Sequence, residues 1–257
     1  MHIVTLGKQH TIKNNWTVIA GPCSAEDRTQ IIDIAKELSH LKVDVLRAGL
    51  WKPRTHIDSW QGVGEQGLEW MQEARKETGI AIATEVKDEK TLEATLRANL
   101  DILWIGSRNG QNYALLEAVG KMTSHTKIPI ILKRNMGADL DDWLGAAEYI
   151  AKYNPNVILC ERGIKGFPRE TRNVLDLQIA KLAQYAGFPV IIDVSHAAGR
   201  RDLITPMALA VKAAGFNGLM VEVHQNPDSA LSDSKQQINT SDFKILSDKL
   251  ALVPNQI

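Results

Sequence analysis

IPIILK (residues 128–133), NVILCER (156–162), PVIIDVSH (189–196) and GLMVEVH (218–224) are built alike. Each is a short apolar, largely β-branched run that closes on a charged or imidazole side chain: Lys133, Arg162, His196 and Glu222. Towards the amino terminus the pattern recurs in TVIAGPC (17–23), DVLR (44–47), IAIATE (80–85) and ILWIGSR (102–108), ending in Cys23, Arg47, Glu85 and Arg108. Stretches with helical spacing separate the runs, as in Ile31, Ile34, Ala35 and Leu38. Strand and helix in eightfold alternation predict an α/β fold of one kind, a single (β/α)8 TIM barrel. The carboxyl ends of barrel strands converge on the face where active sites sit, so a reactive group at the end of every run reads as an enzyme.

The 257 residues match one such barrel, about 250 residues, and leave little for a second core. Lys plus Arg and Asp plus Glu are both 30, and a net charge of zero gives no support to nucleic acid or an anionic membrane as partner. No run approaches the ~18 apolar residues of a membrane span, and the first residues lack the apolar segment of a signal peptide; a cytoplasmic protein is expected. The two cysteines, Cys23 and Cys160, fall on the first and sixth runs, which are not neighbours in a barrel, so no disulfide is expected.

Residues 1–13 read as a short strand or hairpin ahead of the barrel, with the whole chain 1–257 as one catalytic domain. Asp27 is placed to cap the first helix, and a helix from Ala138 or Asp139 carries Trp143, Ala147 and Ile150 on one face. Three long loops follow strand ends: 51–64, 163–169 and 224–238. A last helix over about 240–250 closes the ring.

Arg47, Lys52, Arg54, Arg108, Lys133 and Arg162 come from four of the strand ends or the loops after them. Buried cations need anions, and guanidinium and ammonium groups suit phosphate and carboxylate. Six cations match substrates bearing about three anionic groups. The alternative is that each pairs with a carboxylate of the barrel wall. Cys23, His196, Glu222 and Asp233 follow the first, seventh and eighth runs, and together offer a mixed S/N/O site for a divalent first-row ion. A buried thiol and a core imidazole are the plain alternatives for Cys23 and His196. His224 is a rival ligand, or a partner that supports the ligands, if the last strand extends to it. Glu85 is suited either to hold a water and exchange a proton with Lys133 or to form a structural salt bridge. Cys160 reads as core packing.

GPCSAED, LRAGLWKPRT, WQGVGEQGL, ATEV, IGSRNGQN, ILKR, CERGI, DVSHAAGRRD, GLMVEVH and ALSD together resemble 3-deoxy-D-arabino-heptulosonate 7-phosphate (DAHP) synthase of the type Iβ branch, over residues 18–233. The resemblance implies condensation of phosphoenolpyruvate (PEP) with erythrose 4-phosphate, release of phosphate, and entry into the shikimate pathway. It implies one divalent metal (Mn, Fe, Co or Zn) on Cys23, His196, Glu222 and Asp233. PEP would be held by Arg47, Lys52, Arg108, Lys133 and Arg162 with Ser107, and the sugar phosphate by Arg54 and Thr55. Lys52, Glu85, Lys133 and His196 would be the catalytic groups. A homo-oligomer, dimer or tetramer, is also implied.

Ala48, Ser107, Gly110, Val194 and Ser234 depart from the usual motif, but none removes a charge or a ligand. The related 3-deoxy-D-manno-octulosonate 8-phosphate synthases, which use arabinose 5-phosphate, carry a KANRSS-like loop where this chain has Lys52-Pro53-Arg54-Thr55, so the four-carbon sugar is favoured. A non-catalytic phospho-sugar-binding barrel would have lost a ligand or the KPRT lysine. Relatives often add a regulatory domain, for which a dozen residues before the first strand leave no room. The isolated chain is therefore expected not to respond to aromatic amino acids, chorismate or prephenate.

Overall fold

The computed structural model describes residues 5–6, 10–11, 16–53 and 58–255. β1 (Thr5–Leu6) and β2 (His10–Thr11) pair antiparallel, Thr5 opposite Thr11. Every one of the eight apolar runs then forms a barrel strand: β3 (Thr17–Gly21), β4 (Val45–Arg47), β5 (Ala81–Val86), β6 (Ile102–Ile105), β7 (Ile130–Lys133), β8 (Val157–Glu161), β9 (Val190–Asp193) and β10 (Gly218–Glu222). All pair in parallel and in sequence order, and β10 closes on β3 with Glu222 beside Gly21. The (β/α)8 expectation is met.

The helices are α1 (Arg28–Ser39), α2 (Gln66–Thr78), α3 (Glu89–Arg97), α4 (Tyr113–Met122), α5 (Leu140–Ala151), α6 (Leu177–Tyr185), α7 (Val194–Ala198), α8 (Ile204–Ala213) and α9 (Thr240–Ala251). Asp27 caps α1 as its sequence position predicts, accepting from the Gln30 amide at 2.9 Å. On α5 the predicted face of Trp143, Ala147 and Ile150 is buried.

The strands bury both faces, which is why they are continuously apolar. One set of alternate residues, including Leu46, Ile82, Leu103, Leu132, Leu159, Ile192 and Val221, packs against the helices. The other set forms a separate, small inner core: Ile19, Val45, Ala83, Ile102, Trp104, Ile131, Ile158, Cys160, Ile191 and Met220. Side chains alternate with period two, so the next inward position above that core is dictated by parity. Counting on by two from inner-core residues gives Gly21, Arg47, Glu85, Gly106, Lys133, Arg162, Asp193 and Glu222. The barrel is thus plugged with hydrocarbon below and rimmed with charge above.

Gly21 is the one uncharged strand residue of that rim, and it sits at φ +147° where an added Cβ would collide with the Arg47 carbonyl on β4. The strand must pass close here to deliver Pro22 and Cys23 to the mouth. Gly21→Ala is expected to cost about 3 kcal/mol or more, from backbone strain and a contact with no flexible side chain to yield. A urea midpoint within error of wild type would refute this.

Candidate active site

The carboxyl-end mouth holds a cavity lined by Arg47, Lys52, Glu85, Trp104, Ser107, Arg108, Lys133, Arg162, Arg172, His196 and Asp233, among others. Five of the six predicted cations line it; Arg54, like Thr55, lies outside the described residues. A floor is supplied by Trp104 of the inner core, with the Arg47 guanidinium 4.8 Å and the Lys133 ammonium 5.6 Å from its ring centroid.

Two cations do pair with the barrel wall. Arg47 Nη1 meets Glu222 Oε1 at 2.9 Å, and Lys133 Nζ meets Asp193 Oδ2 at 2.7 Å. Lys52 instead reaches Cys23, donating to its carbonyl at 3.1 Å and lying 3.0 Å from Sγ. Arg162 donates to the Gly163 carbonyl at 3.2 Å. The Ser107 hydroxyl donates to the Arg134 carbonyl. Glu85 lies against Gly106, where an added Cβ would occupy the position of its carboxylate, so the glycine makes the space that this acid fills.

The predicted ligands converge. Donor atoms of Cys23, Glu222 and Asp233 all lie within 4.8 Å of one another. His196 Nε2 stands 3.5 Å from Glu222 Oε1 and 3.6 Å from Asp233 Oδ2, and Cys23 Sγ is 3.6 Å from the latter. Local structure explains the convergence. Cys23 ends β3 beyond Gly21, with its amide donating to Gln237 Oε1 at 2.9 Å. Glu222 ends the adjacent β10. Asp233 adopts the left-handed region, φ 48°, which Asp tolerates better than most residues. His196 is carried by α7, which starts directly at the end of β9. Asp193 caps that helix through the His196 amide at 3.0 Å and also holds the ring Nδ1 at 2.7 Å, leaving Nε2 turned to the donors.

These contacts set the charge states. Burial pushes the Cys23 thiol up to about 12, helped by the Glu222 carboxylate and opposed by Lys52. Burial also raises the Asp193 carboxyl, but the His196 imidazole and the Lys133 ammonium outweigh it and hold the group well below the usual carboxylate range. For His196 burial wins over Asp193 and Glu222, and the imidazole falls below its ordinary value. A neutral imidazole is the form that ligates metal.

Sequence reading overlooked Trp104, Asp193, Arg172 and Gln236. Strict parity would have found the first two, because Trp104 and Asp193 share the inward positions with Ile102 and Ile191. Arg172 and Gln236 come from irregular loops with no period to betray them; Arg172 Nη1 lies 2.9 Å from Asp233 Oδ2. His224 is a correction. β10 stops at Glu222, the His224 amide bonds the Ile238 carbonyl, and the ring faces Glu26 with Nε2 3.6 Å from its Oε1.

A family model described as the DAHP synthetase I family matches residues 4–252. The chain belongs to that family. As a member of the DAHP synthetase I family, it is 42% identical over 246 residues to a phospho-2-dehydro-3-deoxyheptonate aldolase of Thermotoga maritima, covering 95% of this chain and 71% of the relative. The crystal structure of a Thermotoga maritima phospho-2-dehydro-3-deoxyheptonate aldolase (DAHP synthase) superposes with a TM-score of 0.90 at 41% identity, over 97% of this chain and 72% of that one. A truncated form of that organism's synthase gives 0.88 at 38% identity, over 97% and 90%. More distant is a 2-dehydro-3-deoxyphosphooctonate aldolase of Syntrophotalea carbinolica, 29% identical over 260 residues, 94% of this chain and 90% of the relative.

Proposed function

We propose that this chain is a metal-dependent DAHP synthase, condensing PEP with erythrose 4-phosphate and water to give DAHP and phosphate. One observation supports the reading above all others: Cys23, Glu222 and Asp233 converge inside a ring of cations at one barrel mouth, with His196 Nε2 beside the two carboxylates. Bonds of ~2.0–2.3 Å put tetrahedral donors about 3.3–3.8 Å apart, and the His196–Glu222, His196–Asp233 and Cys23–Asp233 separations fit that span. The mixed thiol, imidazole and carboxylate set suits Mn, Fe, Co or Zn.

An ion held by Cys23, His196, Glu222 and Asp233 supplies Lewis acidity towards the aldehyde oxygen of the sugar. The protein's own groups do the rest. Arg47, Lys52, Arg108, Lys133 and Arg162 hold the PEP phosphate and carboxylate, with Ser107 beside them, so that its methylene carbon attacks the aldehyde carbon. Such positioning is worth about 7–11 kcal/mol at best. Glu85 and Lys133 hold the water that adds to the phosphate-bearing carbon of PEP. A proton of that water passes by way of Glu85 and Lys133 to the alkoxide formed from the aldehyde, and the tetrahedral phosphohemiketal then breaks its carbon–oxygen bond, its hydroxyl proton leaving with inorganic phosphate as the ketone forms. Arg54 and Thr55 take the sugar phosphate.

The deciding measurement is phosphate release with PEP and either erythrose 4-phosphate or arabinose 5-phosphate, with and without chelator. Erythrose 4-phosphate is expected to support turnover, arabinose 5-phosphate little or none, and the chelator to stop it. Faster release with the five-carbon sugar would transfer the chain to the octulosonate reaction of its more distant relatives. Undiminished turnover after thorough chelation would remove the metal from the mechanism. The same reading makes the protein a cytoplasmic homo-oligomer, dimer or tetramer, which light scattering checks. No helix among the described residues is long and apolar enough to cross a membrane.

A further inference from the structure

Glu222 and Asp233 present two carboxylates towards one point, an arrangement that like charges resist. Each needs fixing by hydrogen-bond donors. Glu222 Oε1 takes Arg47 Nη1 at 2.9 Å. Its other oxygen, Oε2, takes the carboxamide nitrogen of Gln236 at 2.6 Å, and the same nitrogen lies 3.3 Å from Asp233 Oδ2. Gln236 is 2% exposed, and its backbone amide bonds the Asp233 carbonyl at 3.2 Å, so its position is locked to the residue it serves. Its own carboxamide oxygen accepts from Arg172 Nη1 at 2.8 Å. That contact orients the amide so that its two N–H groups, rather than its oxygen, face the carboxylates.

We propose that Gln236 is a positioning residue of the metal centre: its carboxamide clamps Glu222 and Asp233 into one donor pair, with Arg172 as the anchor that fixes the clamp. The inference rests on the metal-centre reading above. A primary amide is the side chain suited to the task, because it offers two hydrogen-bond donors without a charge that would compete with the ion. A merely buried glutamine would need its hydrogen bonds satisfied but would not set the affinity of anything.

The test is cobalt(II) binding in the absence of substrates, by competition with a chelating dye and by the thiolate-to-cobalt absorption band. Wild type is expected to bind one cobalt with that band, and Cys23→Ser to lose the band. Gln236→Met, similar in size but without donors, is expected to bind cobalt 10- to 100-fold more weakly and to shift the ligand-field spectrum, the range typical for groups that orient metal ligands. Gln236→Asn keeps the amide but is one methylene too short to reach both carboxylates; it should weaken binding as well, and it serves if the Met variant does not fold. Arg172→Met should show a smaller weakening in the same direction. Cobalt affinity and spectrum unchanged within about twofold in the position-236 variants, with only the melting temperature lowered, overturn the clamp while leaving the metal site intact. Failure of wild type to bind cobalt, or full binding by Cys23→Ser, sinks the site itself and the clamp with it.

Discussion

Replacing Cys23 by alanine is expected to lower PEP- and erythrose 4-phosphate-dependent phosphate release by about 10³-fold or more while the barrel stays folded. The residue is pinned through its backbone: its amide meets Gln237, and its carbonyl accepts from Arg47 Nη2 at 3.1 Å and Lys52 Nζ at 3.1 Å. Substitution therefore removes Sγ and little else. The lost interactions are those of a thiol that burial holds neutral at physiological pH, so it has no role as a free anion. The Lys52 ammonium 3.0 Å from Sγ does not outweigh burial, whereas a directly bound metal ion would hold the sulfur as thiolate. Losing Lewis-acid stabilisation worth several kcal/mol, at 1.36 kcal/mol per decade, gives the stated loss. His196→Ala should be at least as damaging, because it also strips Asp193 of one of its two partners. Metal content and turnover are to be measured on both variants. Full activity of the pair in metal-free buffer would contradict the assignment.

The barrel was legible because strands buried on both faces have to be continuously apolar, and the chemistry at their ends interrupts those runs. Ligands such as Cys23 and Glu222 were legible for the same reason: they lie at the ends of β3 and β10, which topology makes neighbours. Where each side chain points was only half legible. Period two assigns Glu222 inward, but it fails for His224 because the ladder gives way to a single bridge between Val223 and Ile238. The partners that tune the ligands were least visible. Gln236 and Gln237 act on different ligands, the first on the two carboxylates and the second on the Cys23 amide. Adjacent identical residues in a loop give no sequence signal of such a division. Val194, which departs from the usual motif, is fully buried among the residues packed against the helices and does not line the cavity.

Asp193→Asn is the substitution whose consequences reach furthest from one atom. Asp193 Oδ2 is shared by Lys133 and His196 at 2.7 Å each, and Oδ1 caps α7. An amide in its place has one acceptor oxygen, which cannot serve both the α7 cap and the Lys133–His196 pair, and it carries no charge to balance the Lys133 ammonium, which is 4% exposed. The imidazole loses the acceptor that fixes its Nδ1–H tautomer. On the proposed mechanism, turnover should fall about 10²-fold or more, metal affinity should weaken by about 10–100-fold, and stability should drop by about 3–5 kcal/mol for the uncompensated cation. Arg134→Met is the control. Arg134 bridges Glu161 and Asp176 at 2.9 and 3.0 Å, but it follows the outward parity of β7 and does not line the mouth. It should cost comparable stability with turnover of the folded fraction nearly unchanged. Joining Asp193→Asn to Lys133→Met removes both charges, so the double variant should regain part of the lost stability while turnover falls further with the loss of Lys133. Recovery of stability in the double variant shows that the unbalanced Lys133 ammonium carries much of the cost of Asp193→Asn. Additive loss of stability in the double variant would show instead that the 2.7 Å contact is incidental to the fold.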